Sequence, residues 1–131
     1  MASSVAQAQA RTPFAEYSAK FLCGVVKEEG AAPVRPGWYD TSIDIHNPQL
    51  VPGAIFFKKL VLAPREGEKP LPPSRFRRDV LKPDFAQPVD CKIIRSMLGN
   101  QGGTPFVEGF VVLIAAPEKE TTASELDVVG V

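Results

Sequence analysis

The chain has 131 residues, room for one domain with a real core and not for two. Its fifteen Lys/Arg and fifteen Asp/Glu cancel to a formal net charge of zero, which argues against a dedicated nucleic-acid or anionic-membrane binder. A hydrophobic share of 44% excludes wholesale disorder, and thirteen prolines with ten glycines exclude long helices.

At the N-terminus "MASSVAQAQARTP" ends a small-residue run on Ala8-Gln9-Ala10, the A-x-A pattern of a signal-peptidase site. The basic and apolar regions that should precede such a site are missing. Residues 1–14 are therefore expected to be either a leader remnant of an exported protein or a disordered tail, with the domain proper spanning residues 15–131. No run approaches the ~18 uninterrupted apolar residues of a spanning helix, so no membrane-spanning segment is expected.

From residue 16, "EYSAKFLCGVV" has a period of two. Tyr17, Ala19, Phe21, Cys23 and Val25 form an apolar face opposite Ser18, Lys20 and Gly24, which predicts a half-buried strand. A loop from Lys27 to Gly37 follows. In "WYDTSIDIHNPQL", Tyr39, Thr41, Ile43 and Ile45 alternate with Asp40, Ser42, Asp44 and His46. This predicts one strand, closed by Asn47-Pro48 because proline cannot donate to a ladder. Gly53 to Pro64 is apolar on both faces, with Ile55, Phe57 and Val61 opposite Phe56, Leu60 and Leu62. Lys58-Lys59 interrupts it and predicts a bulge or an edge position that brings both ammonium groups to water.

"PREGEKPLPPSRFRRD", residues 64–79, predicts a long surface loop. Val80-Leu81 and "KPDFAQPVD" predict short strand runs broken by prolines. Asp90 as N-cap, then Ile93, Ile94, Met97 and Leu98 on one side and Gly99 at the end, predict a helix of two turns. After the flexible "GNQGGTP", "FVEGFVVLIAA" predicts an apolar strand with Gly109 at a bulge or a close backbone approach. A polar loop, "PEKETTAS", precedes the final strand "ELDVVGV". Its Val128, Val129 and Val131 are expected to pair inside the sheet or with another subunit. Short strands between turn signals, with one short helix, predict an all-β fold, a single antiparallel immunoglobulin-like β-sandwich. The turn spacing also fits a partly open barrel.

The candidate chemistry is sparse. Metal sites need convergent N, O or S ligands, and His46 is the sole histidine, with only Asp44 and Asp40 within local reach. A solvated strand face accounts for it better, so His46 points outward because Ile45 points inward. Cys23 and Cys91 sit at apolar positions. In an exported domain they would form a disulfide that pins the first strand to the start of the helix, and in the cytosol they would be two small buried thiols. Arg75, Arg77 and Arg78 flank Phe76, a pattern that suits phosphate or base stacking. Glu66, Glu68 and Asp79 in the same segment neutralise much of that charge, which leaves a solvated loop or a protein-binding one. "GNQGG" lacks a phosphate-loop context, and no nucleophile–base arrangement is recognisable. The expectation is no catalytic activity, no metal and no cofactor.

"EYSAKFLCGVV", "DTSIDIHNP", "KKLVLAP", "LKPDFAQPVDCKIIRSMLG", "FVEGFVVLIAAP" and "ELDVVGV", in that order, resemble a group of small exported bacterial and archaeal β-sandwich proteins of unassigned function. The likeness runs from about Tyr17 to Val131. It rests on the cysteines at positions 23 and 91 and on the turn His46-Asn47-Pro48. Members of that group begin with a signal peptide and continue for a few strand residues beyond the position of Val131. A likeness in strand order alone is to the β-sandwich transducer that partners a microbial sensory rhodopsin, which would imply a cytoplasmic signalling tetramer. The resulting expectation is an exported, periplasmic or extracellular, non-catalytic module that associates with protein, either itself or a larger assembly. Arg75, Phe76, Arg77, Arg78, Val129 and Val131 would be its contact residues. The alternative is a cytoplasmic transducer or a small-ligand-binding domain.

Overall fold

The computed structural model describes residues 15–48, 54–64, 67–99, 104–116 and 126–131. The expected tail at 1–14 and the polar loop at 117–124 lie outside them. Among the described residues the chain order is β1 (Ala15–Val26), β2 (Gly37–Asp40), β3 (Ser42–His46), β4 (Ala54–Leu62), β5 (Arg77–Leu81), β6 (Ala86–Asp90), α1 (Cys91–Leu98), β7 (Phe106–Ala116) and β8 (Asp127–Gly130). They form a five-stranded sheet in the order β2-β1-β7-β4-β5 and a three-stranded sheet in the order β6-β3-β8. Every pairing is antiparallel. This is the expected all-β sandwich with one short helix.

The period-two patterns decide what the layers bury. Phe21 on β1, Phe56 and Leu60 on β4, and Val111 and Leu113 on β7 face Ile43 and Ile45 of β3 and Val89 of β6 across one core. Ile94 and Leu98 of α1 close one end of it. Each such side chain contributes roughly 1.5–3 kcal/mol on full burial. The helix begins as expected, with the Asp90 carboxylate accepting from the Ile93 N–H at 2.9 Å.

The alternation from Trp38 to His46 is not one strand. β2 belongs to the larger sheet and β3 to the smaller, and the chain changes layer at Thr41. The Thr41 hydroxyl accepts from the Leu22 N–H at 2.9 Å and donates to the Leu22 carbonyl at 3.0 Å, which holds the corner against β1. Two further departures have equally local causes. Gly24, at φ +111°, shifts the burial pattern so that Val26 and not Val25 is buried. The segment expected as loop to residue 79 becomes strand from Arg77, paired with β4 from Lys58↔Arg77 to Ala54↔Leu81.

Lys58 is neither bulged nor at an edge. β4 is hydrogen-bonded on both sides, and Lys58 points into the sandwich with 4% of its side chain exposed. Its ammonium lies 2.7 Å from the Asp79 carboxylate on β5, so a counter-ion does the work that water was expected to do. Gly109 is at a close backbone approach: a Cβ there would run into the Val61 carbonyl oxygen.

Candidate functional site

Cys23 on β1 and Cys91 at the start of α1 are joined in a disulfide, with Cα atoms 5.6 Å apart. The bond ties the five-stranded sheet to the helix that follows the other sheet. Nearby, the Arg95 guanidinium donates to the carbonyls of Cys23, Thr104 and Pro105. Both cysteines are therefore committed to holding the layers together.

The arginine cluster straddles the end of the expected surface loop, with Arg75 and Phe76, and the start of an edge strand, with Arg77 and Arg78. Ser74 anchors its start: its N–H donates to the Leu60 carbonyl at 2.8 Å, and its Oγ accepts from the Leu60 N–H at 2.7 Å. Arg75 and Phe76 follow as exposed linker residues, and Arg77 and Arg78 open β5. Phe76 meets Phe57 edge-on at 6.3 Å between ring centroids, and the Lys59 ammonium sits 4.8 Å from the centre of the Phe76 ring. Sequence reading missed Lys59 as a member of this cluster, because its contact with Phe76 is made across strands. Asp79, counted there as a neutralising charge, is turned inward onto Lys58. Among the described residues, Arg75, Arg77 and Arg78 take no part in the ion pairs, which are Lys20–Glu108, Lys58–Asp79 and those of His46.

Val129 and Val131 lie on and just beyond β8, an edge strand of the smaller sheet. Ser42 and Val131 exchange both backbone hydrogen bonds, at 3.1 and 3.0 Å. By the antiparallel alternation, the peptide groups of Val128 and Gly130 face away from β3. The Val128 side chain packs on the core, whereas Val129 is 58% and Val131 91% exposed.

His46 is bracketed by two carboxylates that no local spacing announced. Nδ1 lies 3.0 Å from Asp127 Oδ2 on β8, and Nε2 lies 2.9 Å from Asp84 Oδ1 in the turn before β6. The hydrogen bond to Asp127, then that to Asp84, raise its pKa above the ordinary 6.5. Asp44 and Asp40 are not part of the arrangement. Both ring nitrogens are spent on carboxylates, and no metal-binding group of three or more His, Cys, Asp or Glu occurs among the described residues.

No family model, curated protein or solved structure matches this chain.

A cleft of about 650 Å³ opens at one end of the larger sheet. Val25, Val26, Leu62, Leu71, Pro105 and Phe106 give it an apolar wall, and Lys27, Glu28, Glu68 and Glu108 supply its charges. Sequence reading missed it because its walls come from the ends of β1 and β4, the start of β7 and the loops beside them. Among the described residues, no helix is long and apolar enough to cross a membrane.

Proposed function

We propose that this chain is a non-catalytic, exported β-sandwich module that works by associating with protein, either further copies of itself or a larger assembly. The observation that carries the reading lies at the edges of the sandwich. Three of its edge strands each present an exposed large apolar side chain: Trp38 on β2 (86%), Val80 on β5 (52%) and Val129 on β8 (58%). An open edge combines unpaired backbone groups with whatever side chains flank them, and apolar ones make it a template for another chain. The fourth edge, β6, carries Pro88, whose missing N–H falls on the open side of its pairing with Asp44.

Export is supported by the Cys23–Cys91 disulfide, since such bonds persist in oxidising compartments. The motif-level likeness to small exported sandwich proteins points the same way. Sedimentation at micromolar concentration tests self-association: an oligomer that weakens in Val129→Lys is expected if the partner is another copy. A pull-down from the native source tests a foreign partner, with Phe76→Ala/Arg77→Ala expected to lose it. A monomer that captures nothing would sink the reading. Thiol titration of denatured, unreduced protein from its native source should find no free sulfhydryl, and two free thiols there would remove the case for export.

The cleft favours a second reading, a small-ligand-binding domain. Its volume lies within the range of small-molecule sites, and its wall is mostly apolar. A thermal-shift screen against apolar amines would support it if a hit lost its effect in Leu71→Asp.

A further inference from the structure

We propose that the β5 edge is the docking strip for an acidic, extended segment of a partner polypeptide, bound by strand addition. The proposal rests on the interaction-module reading and names the partner's chemistry at one of its edges.

Three facts converge there. Among the described residues β5 is the last strand of its sheet, so one side of its backbone has no strand partner. Arg75, Arg77 and Arg78 are exposed around that edge, the adjoining acid Asp79 is occupied by Lys58 at 2.7 Å, and among the described residues no carboxylate forms an ion pair with the three arginines; Glu66 lies outside those residues. Beside the guanidinium groups, Phe76 (48% exposed) and Val80 (52% exposed) offer apolar contact. An incoming strand would pair with the β5 backbone, set carboxylates against the arginines, and lay apolar side chains beside Phe76 and Val80. Guanidinium groups suit carboxylates through bidentate hydrogen bonds, and arginine beside an aromatic ring is the composition of an interface anchor.

The same features disfavour other occupants. Joining the β5 edges of two copies would bring six arginines into one interface, with Asp79 of neither copy free to offset them. A nucleic acid would use the arginines and the Phe76 ring, but it has nothing to gain from Val80 or from the Phe57 that backs the ring. Charged edge strands can also be plain guards against pairing. A guard would bind no acidic strand, and that difference is measurable.

The test uses the disulfide-intact full chain and a labelled synthetic peptide of about eight residues alternating glutamate with valine. Fluorescence anisotropy should show saturable micromolar binding that weakens with added salt. Affinity should fall about tenfold or more in Arg77→Glu/Arg78→Glu and in Phe76→Ala. The variants' circular dichroism should match the parent's, since all three side chains are exposed. A lysine–valine peptide and a glutamate–serine peptide should bind at least about tenfold more weakly. Absence of glutamate–valine binding, or binding unchanged in the arginine variant, overturns the proposal and leaves the guard. Tighter binding of a single-stranded oligonucleotide overturns it in favour of a polyanion site. A chain that oligomerises through β8 yet ignores the peptide keeps the interaction reading and loses this one.

Discussion

An ammonium group with 4% of its side chain exposed is tolerable only while its counter-ion stays in contact. Asp79→Ala should therefore cost about 3–5 kcal/mol by denaturant unfolding, because it strands the Lys58 charge inside the sandwich. Lys58→Met combined with Asp79→Leu should cost far less, since it removes both charges together. His46 works differently, at the surface. Only the protonated ring can donate to Asp84 and Asp127 at once; a neutral ring has one N–H and turns a lone pair on the other carboxylate. Its folded pKa is raised, so its stabilisation is fully present below the ordinary value of 6.5 and is lost as pH rises through the folded value. The Tm difference between the parent and His46→Gln should be larger at about pH 5.5 than at about pH 9. An equal difference at both would mean that the ring acts by packing alone.

Among the elements, the corner at Thr41 is the least legible from sequence and the easiest to test. The polar–apolar alternation of the sequence runs through it unbroken. Yet Tyr39 packs on Phe106 of the larger sheet while Ile43 and Ile45 enter the core, and the hydrogen-bonding partner changes from β1 to β6 and β8. Periodicity records which face a residue takes and says nothing of which strand lies beside it, so one predicted strand became two. Thr41→Val keeps the shape and removes both hydroxyl bonds to Leu22, and it should cost about 1–3 kcal/mol. By contrast β1, β7 and α1 were readable because their signals are local: apolar alternation in the strands, an N-cap and an apolar stripe in the helix. Gly109 was readable too, as a glycine inside an apolar strand. Gly109→Ala places a Cβ against the Val61 carbonyl oxygen and should be more damaging than Thr41→Val in the same unfolding assay. The partners of Lys58 and His46 were not readable, because Asp79 and Asp127 approach only after the strands have paired. The same holds for Arg75, Arg77 and Arg78, which take no part in the ion pairs among the described residues.

For the molecule as a whole, the disulfide closes a loop with a sequence separation of 68, and reducing it should lower stability by about 4 kcal/mol, seen as a shift in the denaturant midpoint. The register places this bond beside the Thr41 corner: Cys23 is paired with Asp40, and Asp90, next to Cys91, is paired with Ser42. The covalent ring therefore encloses β2 to β6 and leaves β7 and β8 outside it. That division governs how the protein behaves once its backbone has been cut. Lys27 and Arg75 are exposed between the two cysteines and neither precedes a proline, so a trypsin cut at either leaves both pieces on one covalent body. Such a nicked chain should run as a single species on a denaturing gel until a thiol is added, and then part in two.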